Sequence, residues 1–272
     1  MLATEGLMRI QDVIDGFFPE ALLEPITFED WVSPLRADAN PGAADLLSKL
    51  EEWLKQSKSA LSDQETLTRD YWEIFGGNDK LLKSFSSIRS KLARDLLNEI
   101  NDGCRPGGRL TEEQLKSRIY QFGDLGRVRV VTDFFSDIDF LQKKLFESDR
   151  FLGNYPCPKG IKDFTFDPKF RDGLKGHRAR QFSVLVPITG ELDFGFEIQL
   201  MTRLQHAWDR RNHPLYEWQR ENNEWREDQE AIEIAVDDFA CAEALHLVDR
   251  QADRNWARFL NKSKHEKEVI HE

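Results

Sequence analysis

Two carboxylates, Asp124 and Glu197, are the residues whose placement most favours chemistry. Asp124 precedes a segment in which Val128 and Val130 alternate with arginines, a pattern typical of a β-strand. Glu197 lies on the polar face of a second alternating segment, whose opposite face is apolar. If the two strands are neighbours, both carboxylates can bind one Mg²⁺ ion, which prefers oxygen ligands and leaves positions for substrate phosphates. Structural ion pairs place acids in similar positions, so the pattern alone leaves that alternative open.

Three groups of basic residues supply the opposite charge. Lys83, Lys91 and Arg94 recur on one side of a predicted helix. Arg127 and Arg129 share one face of the first strand. The third group lies in a stretch punctuated by glycine and proline and consists of Lys162, Lys169, Lys175, His177, Arg178 and Arg180. Phosphoryl-type transfer needs cations positioned around a polyphosphate rather than covalent machinery, so these groups predict a polyphosphate site. An ordinary charged helix face and a solvated loop are the alternative.

The overall charge limits the classes of partner. The 272-residue chain carries a formal net charge of −11, which argues against attraction of the whole surface to DNA or to an anionic membrane. A compact basic stretch within an acidic protein suits a small polyphosphate. No apolar run approaches the roughly 20 residues that span a bilayer, so no membrane span is expected. Acids interrupt the first apolar stretch and the three cysteines lie far apart, so we expect a cytoplasmic protein without a signal peptide.

The strand and helix patterns indicate the fold class. Segments 182–188 and 193–200, separated by Thr189-Gly190, are predicted to form an antiparallel pair. Helices are predicted before the strands, including one at 66–75, and from Leu204 to the C-terminus. This order predicts an α+β fold, in which a small mixed β-sheet is flanked by helices and carries helical additions at both ends.

The sequence Asn40-Pro41-Gly42 predicts a break in the chain. We therefore divide the chain into an N-terminal extension (1–40), a central domain (41–220) and a C-terminal helical region packed on it (221–272). The C-terminal region begins with an acidic stretch, in contrast to the basic stretch of the central domain. This contrast suggests the hypothesis that a terminal segment lies over the basic site.

Five motifs, found in one order between about residues 80 and 218, resemble those of the synthetase domain of RelA/SpoT-family alarmone synthetases. They are Lys83-Ser84, Ser87-Ile88 and Lys91-Leu92 for KSxxSIxxKL; Asp124 and Arg129 for DxxGxR; Lys162-Asp163 and Pro168-Lys169 for KDYIxxPK; Glu197-Ile198-Gln199 and Thr202 for EIQxRT; and Trp208, His213 and Tyr216 for the helix WAxxxH...Y. Each motif is loose, and the common order carries the resemblance.

The resemblance implies a nucleotidyltransferase-like synthetase fold and an ATP-dependent diphosphokinase. Such an enzyme transfers the β,γ-pyrophosphate of ATP to the 3′-hydroxyl of a purine nucleotide and makes a (p)ppGpp- or (p)ppApp-type alarmone. The roles it implies are Asp124, Glu197 and Arg129 in catalysis, with Asp124 and Glu197 as Mg²⁺ ligands; Lys83, Ser87, Lys91, Arg94, Lys162 and Lys169 at the ATP phosphates; and Lys175, His177, Gln199 and His213 at the acceptor. Glu197 would also assist deprotonation of the attacking hydroxyl.

The chain departs from the family pattern at four positions. Leu174 replaces a tyrosine that stacks on the acceptor guanine, Met201 and Leu81 replace arginines, and Arg127 replaces a glycine. The acceptor is therefore open between a guanine nucleotide, an adenine nucleotide and the 3′ end of tRNA. A member that modifies tRNA would be a toxin and would need an antitoxin or other neutralising partner. A catalytically degenerate, nucleotide-binding sensor is the third alternative.

Overall fold

The computed structural model describes residues 9–59, 72–75, 81–147, 155–157, 160–164, 177–188, 193–221 and 228–270. Its helices are α1 (Ile10–Phe17), α2 (Pro25–Ser59), α3 (Phe85–Asn101), α4 (Glu112–Tyr120), α5 (Phe135–Glu147), α6 (Arg203–Glu221) and α7 (Gln229–Ile270), with a 3₁₀ helix at Glu20–Leu22. Its strands are β1 (Trp72–Phe75), β2 (Gly126–Thr132), β3 (Ile161–Asp163), β4 (Arg180–Pro187) and β5 (Asp193–Thr202).

The five strands form one sheet in the order β1-β2-β5-β4-β3. β2 and β5 are parallel, whereas the other three neighbouring pairs are antiparallel. The predicted α+β class, with a mixed sheet flanked by helices, is confirmed. The predicted antiparallel pair is β4 and β5, while Thr189-Gly190 lies outside the described residues. The alternation of apolar residues along β2 and β5 turns one sheet face towards the helices, where Val128 and Ile198 are fully buried.

The predicted break at Asn40-Pro41-Gly42 is wrong, because α2 runs through it without interruption. The helix crosses β4 so closely that a Cβ atom on Gly42 would lie 2.8 Å from the Val186 side chain. Glycine is therefore used here for close packing of a helix on a sheet, and tertiary contact overrides the local preference for a turn. Val13 and Phe28 belong to the same buried cluster as the sheet, so residues before the predicted boundary share the central core.

The predicted helix at 66–75 is wrong where the structure describes it, because Trp72–Phe75 forms the edge strand β1. Trp72 pairs with Thr132 of β2 and stacks on Phe140 of α5, with ring centroids 5.9 Å apart. Pairing with a neighbouring strand decides the conformation of this short apolar segment, which periodicity alone cannot assign.

The helical C-terminus is confirmed as α6 and α7. The long helix α7 packs on α5 and α6, and Trp256 stacks on Phe134 with centroids 5.3 Å apart. Asp253 accepts a hydrogen bond from the backbone N–H of Ser136 at 3.1 Å. Among the described residues, no helix is long and apolar enough to cross a membrane.

Candidate active site

The parallel pairing of β2 and β5 brings the two predicted carboxylates together. Arg127 lies opposite Glu197 in the strand register. Its Nη2 atom is 3.3 Å from Oδ2 of Asp124 and 3.4 Å from Oε2 of Glu197. Asp124 and Glu197 therefore face the same nitrogen atom, and the prediction that their strands are neighbours is confirmed.

A glycine on β5 allows the segment carrying Asp124 to reach this position. A Cβ atom on Gly195 would lie 2.2 Å from the carbonyl oxygen of Phe122 and 2.5 Å from Cα of Gly123. No side chain fits at that distance. Gly195 thus lets the chain before β2 cross directly over β5, two residues from Glu197.

Two lysines surround Asp124. Lys83 Nζ lies 3.0 Å from its Oδ2 atom and Lys91 Nζ lies 3.6 Å from its Oδ1 atom. Desolvation alone would raise the pKa of Asp124, but the charges of Lys83, Lys91 and Arg127 lower it to about 2. Burial lowers the pKa of Lys83, because it disfavours the charged ammonium, whereas the charge of Asp124 opposes that effect. Asp124 is therefore ionised at any physiological pH.

The two lysines come from different elements. Lys83 was predicted on the same helix as Lys91, but it lies before α3, where its backbone N–H donates to the carbonyl of Leu125 at 2.9 Å. Ser84 follows as the N-cap of α3, and its hydroxyl accepts from the backbone N–H of Ser87 at 3.2 Å. The start of α3, where the first N–H groups have no carbonyl partner within the helix, is thereby fixed next to Lys83.

A chain of hydrogen bonds orients Glu197. Nε2 of Gln199 donates to Oε1 of Glu197 at 2.7 Å, and Nε of Arg129 donates to Oε1 of Gln199 at 3.2 Å. Arg129 in turn forms an ion pair with Asp209 of α6. Gln199 is therefore placed to position the Glu197 carboxylate, and its predicted contact with an acceptor stays a prediction.

Asp209 is a site residue that the sequence analysis missed. His177 Nδ1 lies 2.8 Å from its Oδ1 atom, and Nε2 of His177 lies 2.7 Å from Nε2 of Gln181. Desolvation would raise the pKa of Asp209, but the hydrogen bond with His177 and the charges of His177 and Arg129 hold it well below its usual range. A helix that begins at the end of β5 must bring its second turn near the sheet, which is a signal that could have identified Asp209.

The other predicted site residues are distributed around this centre. Lys162 lies on edge strand β3, opposite Gln181, which lies opposite Gln199; these three residues therefore share one face of the sheet. Arg94 is half-buried on α3, and His213 is exposed on α6. Lys169 and Lys175 lie outside the described residues, as does Leu174.

Two departures from the family pattern occupy core positions. Met201 is fully buried in a small cluster with Val131 and Ala179. Leu81 is also buried, and its carbonyl accepts from the backbone N–H of Arg127 at 2.9 Å. Neither side chain carries a polar group. At both positions a buried apolar side chain therefore takes the place of the arginine that the family pattern has.

Two acidic residues of α7 contact the central domain. Glu243 pairs with Arg178, and Asp249 accepts from the Thr202 hydroxyl. Arg178 belongs to the basic stretch of the central domain, so this pair joins the C-terminal region to that stretch. That a terminal segment lies over the basic site stays a hypothesis. A separate neutralising partner stays a prediction.

The carboxylates fit the predicted magnesium ion in chemistry. Among the described residues no group of three histidines, cysteines or acids gathers around one point. Mg²⁺ needs no such group, because one or two carboxylates and the substrate phosphates complete its shell. Oδ1 of Asp124 is buried and accepts no hydrogen bond from a described residue, although it forms an ion pair with Lys91 at 3.6 Å. This oxygen therefore keeps its hydrogen-bonding and ligating capacity.

The fold and this arrangement define a mixed-sheet α+β domain with paired acids and cations on one sheet face. Solved structures identify it: the chain has the fold of the GTP pyrophosphokinases and small alarmone synthetases. A GTP pyrophosphokinase family protein from Streptococcus pneumoniae matches with a TM-score of 0.54 and 16% identity over 87% of this chain and 96% of that one.

Small alarmone synthetase 1 from Bacillus subtilis matches in two bound states. The form bound to its product pppGpp gives a TM-score of 0.51 and 15% identity over 80% of this chain and 94% of that one. The form bound to AMPCPP gives 0.51 and 14% over 86% and 98%. No family model and no curated protein matches the sequence significantly.

Proposed function

We propose that this protein is an ATP-dependent diphosphokinase that transfers the β,γ-pyrophosphate of ATP to the 3′-hydroxyl of a purine nucleotide. The observation that carries the proposal is the pairing of β2 with β5, which sets Asp124 and Glu197 on either side of one nitrogen, beside Lys83. Paired acids next to fixed cations suit a reaction whose main requirement is to position a polyphosphate.

The structural neighbours indicate which ligands to test first. Small alarmone synthetase 1 from Bacillus subtilis is described bound to pppGpp and to AMPCPP. The shared fold supports ATP as donor and a nucleotide as acceptor for this chain. The product would then be a (p)ppGpp- or (p)ppApp-type alarmone.

The proposed reaction assigns proton transfer to Glu197. The 3′-hydroxyl oxygen attacks the β-phosphorus, the bond from that phosphorus to the α,β-bridging oxygen breaks, and AMP leaves. The hydroxyl proton passes to the Glu197 carboxylate, which the Gln199 amide holds in one orientation. A base on a rigid strand keeps its geometry with little reorganisation, which favours catalysis.

The cations would bind the transferring group. Lys83 and Lys91 offset charge on the phosphates, and the backbone N–H groups at the start of α3 provide further donors. Lys162 extends the cationic side of the sheet face towards β3. Asp124 and Glu197 would hold Mg²⁺, which when bound neutralises charge on the polyphosphate.

One observation favours the sensor as a second candidate. Arg129, predicted to neutralise charge on the transferring group, is committed to Asp209. A protein that binds nucleotide without turnover would tolerate this loss of a cation. No comparable feature of the described residues favours tRNA, which therefore enters as one acceptor in the assay.

A transfer assay with ATP labelled in its terminal phosphates tests the proposal. GDP, GTP, AMP, ADP, ATP and deacylated tRNA are offered in parallel, and we expect label in a purine nucleotide. Glu197→Gln should reduce transfer by about 10²–10⁴-fold, the range for loss of a general base. Glu99→Gln, which alters an ion pair with Arg118 away from the site, is the matched control.

Each other outcome of this assay has a defined meaning. Label in tRNA alone would show that the protein modifies tRNA, as a toxin would, and does not make an alarmone. Nucleotide binding without label in any acceptor would support the sensor. Full transfer by Glu197→Gln would show that the base is another group.

A further inference from the structure

We infer that Arg127 occupies the cation position between Asp124 and Glu197 in the nucleotide-free protein, and that a divalent ion binds there only when nucleotide phosphates draw the guanidinium away. Arg127 thereby couples ion binding to nucleotide binding. The inference rests on the proposed function, because it takes the two carboxylates as the ion's ligands.

The first support is the position of the guanidinium. A single atom, Nη2 of Arg127, lies within 3.4 Å of both carboxylates. Arg127 and Glu197 are direct neighbours in the parallel register, so this contact follows from the sheet and not from a loop conformation. The positive charge that a bound ion would bring between the two carboxylates is already supplied by the Arg127 guanidinium.

The second support is the balance of charge. Lys83, Lys91 and Arg127 all contact Asp124, while Glu197 is the second acid of the cluster. Even if Asp95, which pairs with Lys91, is included, the charges of the cluster only balance. A divalent ion added alone would make the cluster strongly positive, whereas an ion added with a polyphosphate would not.

The third support is the partial exposure of Arg127. Its side chain is 34% exposed, against 11% for that of Glu197. The Arg127 side chain is therefore more accessible to an arriving phosphate than the Glu197 side chain is. Planar guanidinium groups bind phosphates with two parallel hydrogen bonds, so the incoming nucleotide offers Arg127 a better partner.

A simple structural ion pair would behave in the opposite way. If Arg127 only held the two carboxylates in place, its removal would let them repel one another and lose their fixed positions. Ion binding would then weaken. If Arg127 competes with the ion, its removal strengthens ion binding. The sign of the change in affinity therefore separates the two explanations.

Mn²⁺ binding to the full chain, followed by electron paramagnetic resonance without nucleotide, measures that sign. We expect Arg127→Ala and Arg127→Gln to bind Mn²⁺ about 10-fold more tightly or better, and Arg127→Lys to stay weak because it keeps the charge. Circular dichroism checks folding, and the glutamine variant keeps the test available if the alanine variant is unstable. Equal or weaker binding by both uncharged variants would overturn the inference.

A second substitution shows where the ion binds. Asp124→Asn in the Arg127→Ala background should abolish the gain in Mn²⁺ affinity. A gain that survives this change would place the ion elsewhere and would also overturn the inference.

The nucleotide arm uses AMPCPP as the probe. We expect AMPCPP to raise the Mn²⁺ affinity of the wild-type protein by about 5–150-fold, a range typical of coupled sites, and to raise that of Arg127→Ala much less. Equal increases in both proteins would exclude coupling through Arg127. None of these readouts requires turnover, so a failed transfer assay with the expected Mn²⁺ results would reject the proposed reaction and leave the role of Arg127 standing.

Discussion

Arg129 of β2 and Asp209 of α6 form an ion pair in which Nη2 lies 2.5 Å from Oδ2, with both side chains at most 20% exposed. The pair fastens the second turn of α6 to the sheet face that carries Glu197. Arg129 also donates to Gln199, so the pair connects the helix to the side chain that orients the proposed base.

Removing one member of this ion pair should lower the free energy of unfolding. Asp209→Asn leaves the buried charge of Arg129 without its partner, and we expect a loss of about 3–5 kcal/mol in the free energy of unfolding. Arg129→Met combined with Asp209→Leu should lose less than the sum of the single changes. Urea unfolding of the wild type, Arg129→Met, Asp209→Leu and the double variant measures this coupling.

An exposed pair provides the control for that cycle. Asp133 and Arg203 form an ion pair at 2.9 Å with side chains 36% and 50% exposed. Asp133→Asn should change the free energy of unfolding by less than about 1 kcal/mol. Additive effects at Arg129 and Asp209 would contradict the proposed role of their pair.

Gly195→Ala should displace the segment that carries Asp124. The added methyl group would meet the Phe122 carbonyl at 2.2 Å, so we expect a destabilisation of about 1–3 kcal/mol, together with a fall in transfer activity. Gly107→Ala is the matched control, because nothing lies within 4 Å of its added Cβ. Urea unfolding and the transfer assay measure both effects, and equal behaviour of the two variants would refute the account of Gly195.

Lys83→Met should weaken ATP binding. The ammonium lies 3.0 Å from Asp124 at the start of α3, and its loss should cost about 1.5–3 kcal/mol of binding free energy if it hydrogen-bonds a phosphate. Lys49→Met, in the exposed pair with Asp45, is the control. Calorimetric titration with AMPCPP measures the difference, and unchanged affinity would remove Lys83 from the phosphate site.

Asp249 should make stability depend on pH. Burial raises its pKa to about 6; the hydrogen bond from Thr202 opposes this rise and the charge of Asp253 adds to it. The folded state thus holds the proton more tightly than the unfolded state, whose pKa is near 3.8. Stability from this group is fully present below about pH 3.8 and is lost as the pH rises from there through about 6.

Asp249→Asn mimics the protonated side chain. We expect it to stabilise the protein at pH 8 by about 1 kcal/mol or more, which corresponds to a rise in Tm of about 2–4 °C per kcal/mol, and to have a clearly smaller effect at pH 5, which lies between the two pKa values. Thermal unfolding at the two pH values measures the difference. An equal effect at both would show that Asp249 does not titrate between them.

Much of the site could be predicted from the sequence because its elements are locally periodic. Alternation along β2 and β5 placed Asp124 before one strand and Glu197 on the polar face of another, and the structure makes those strands neighbours. The same alternation indicated the antiparallel pair β4 and β5. Helical periodicity indicated α3, with Lys91 on it.

The features that local patterns could not predict depend on contacts between residues that are far apart in the sequence. The helix at Asn40-Pro41-Gly42 and the strand at Trp72–Phe75 arise because burial against β4 and pairing with β2 outweigh local preference. No periodicity indicated that Asp209 would meet Arg129, since they come from elements 80 residues apart.

The sequence by itself determined the chemical groups: two acids, their cations and the strands and helices that carry them. Only the tertiary structure decided which residues lie next to each of these groups. The parallel register of β2 and β5 put Arg127 between Asp124 and Glu197, a relation that follows from the order of strands in the sheet. A residue's side-chain direction follows from its own strand, but its neighbours follow from which strand folds beside it.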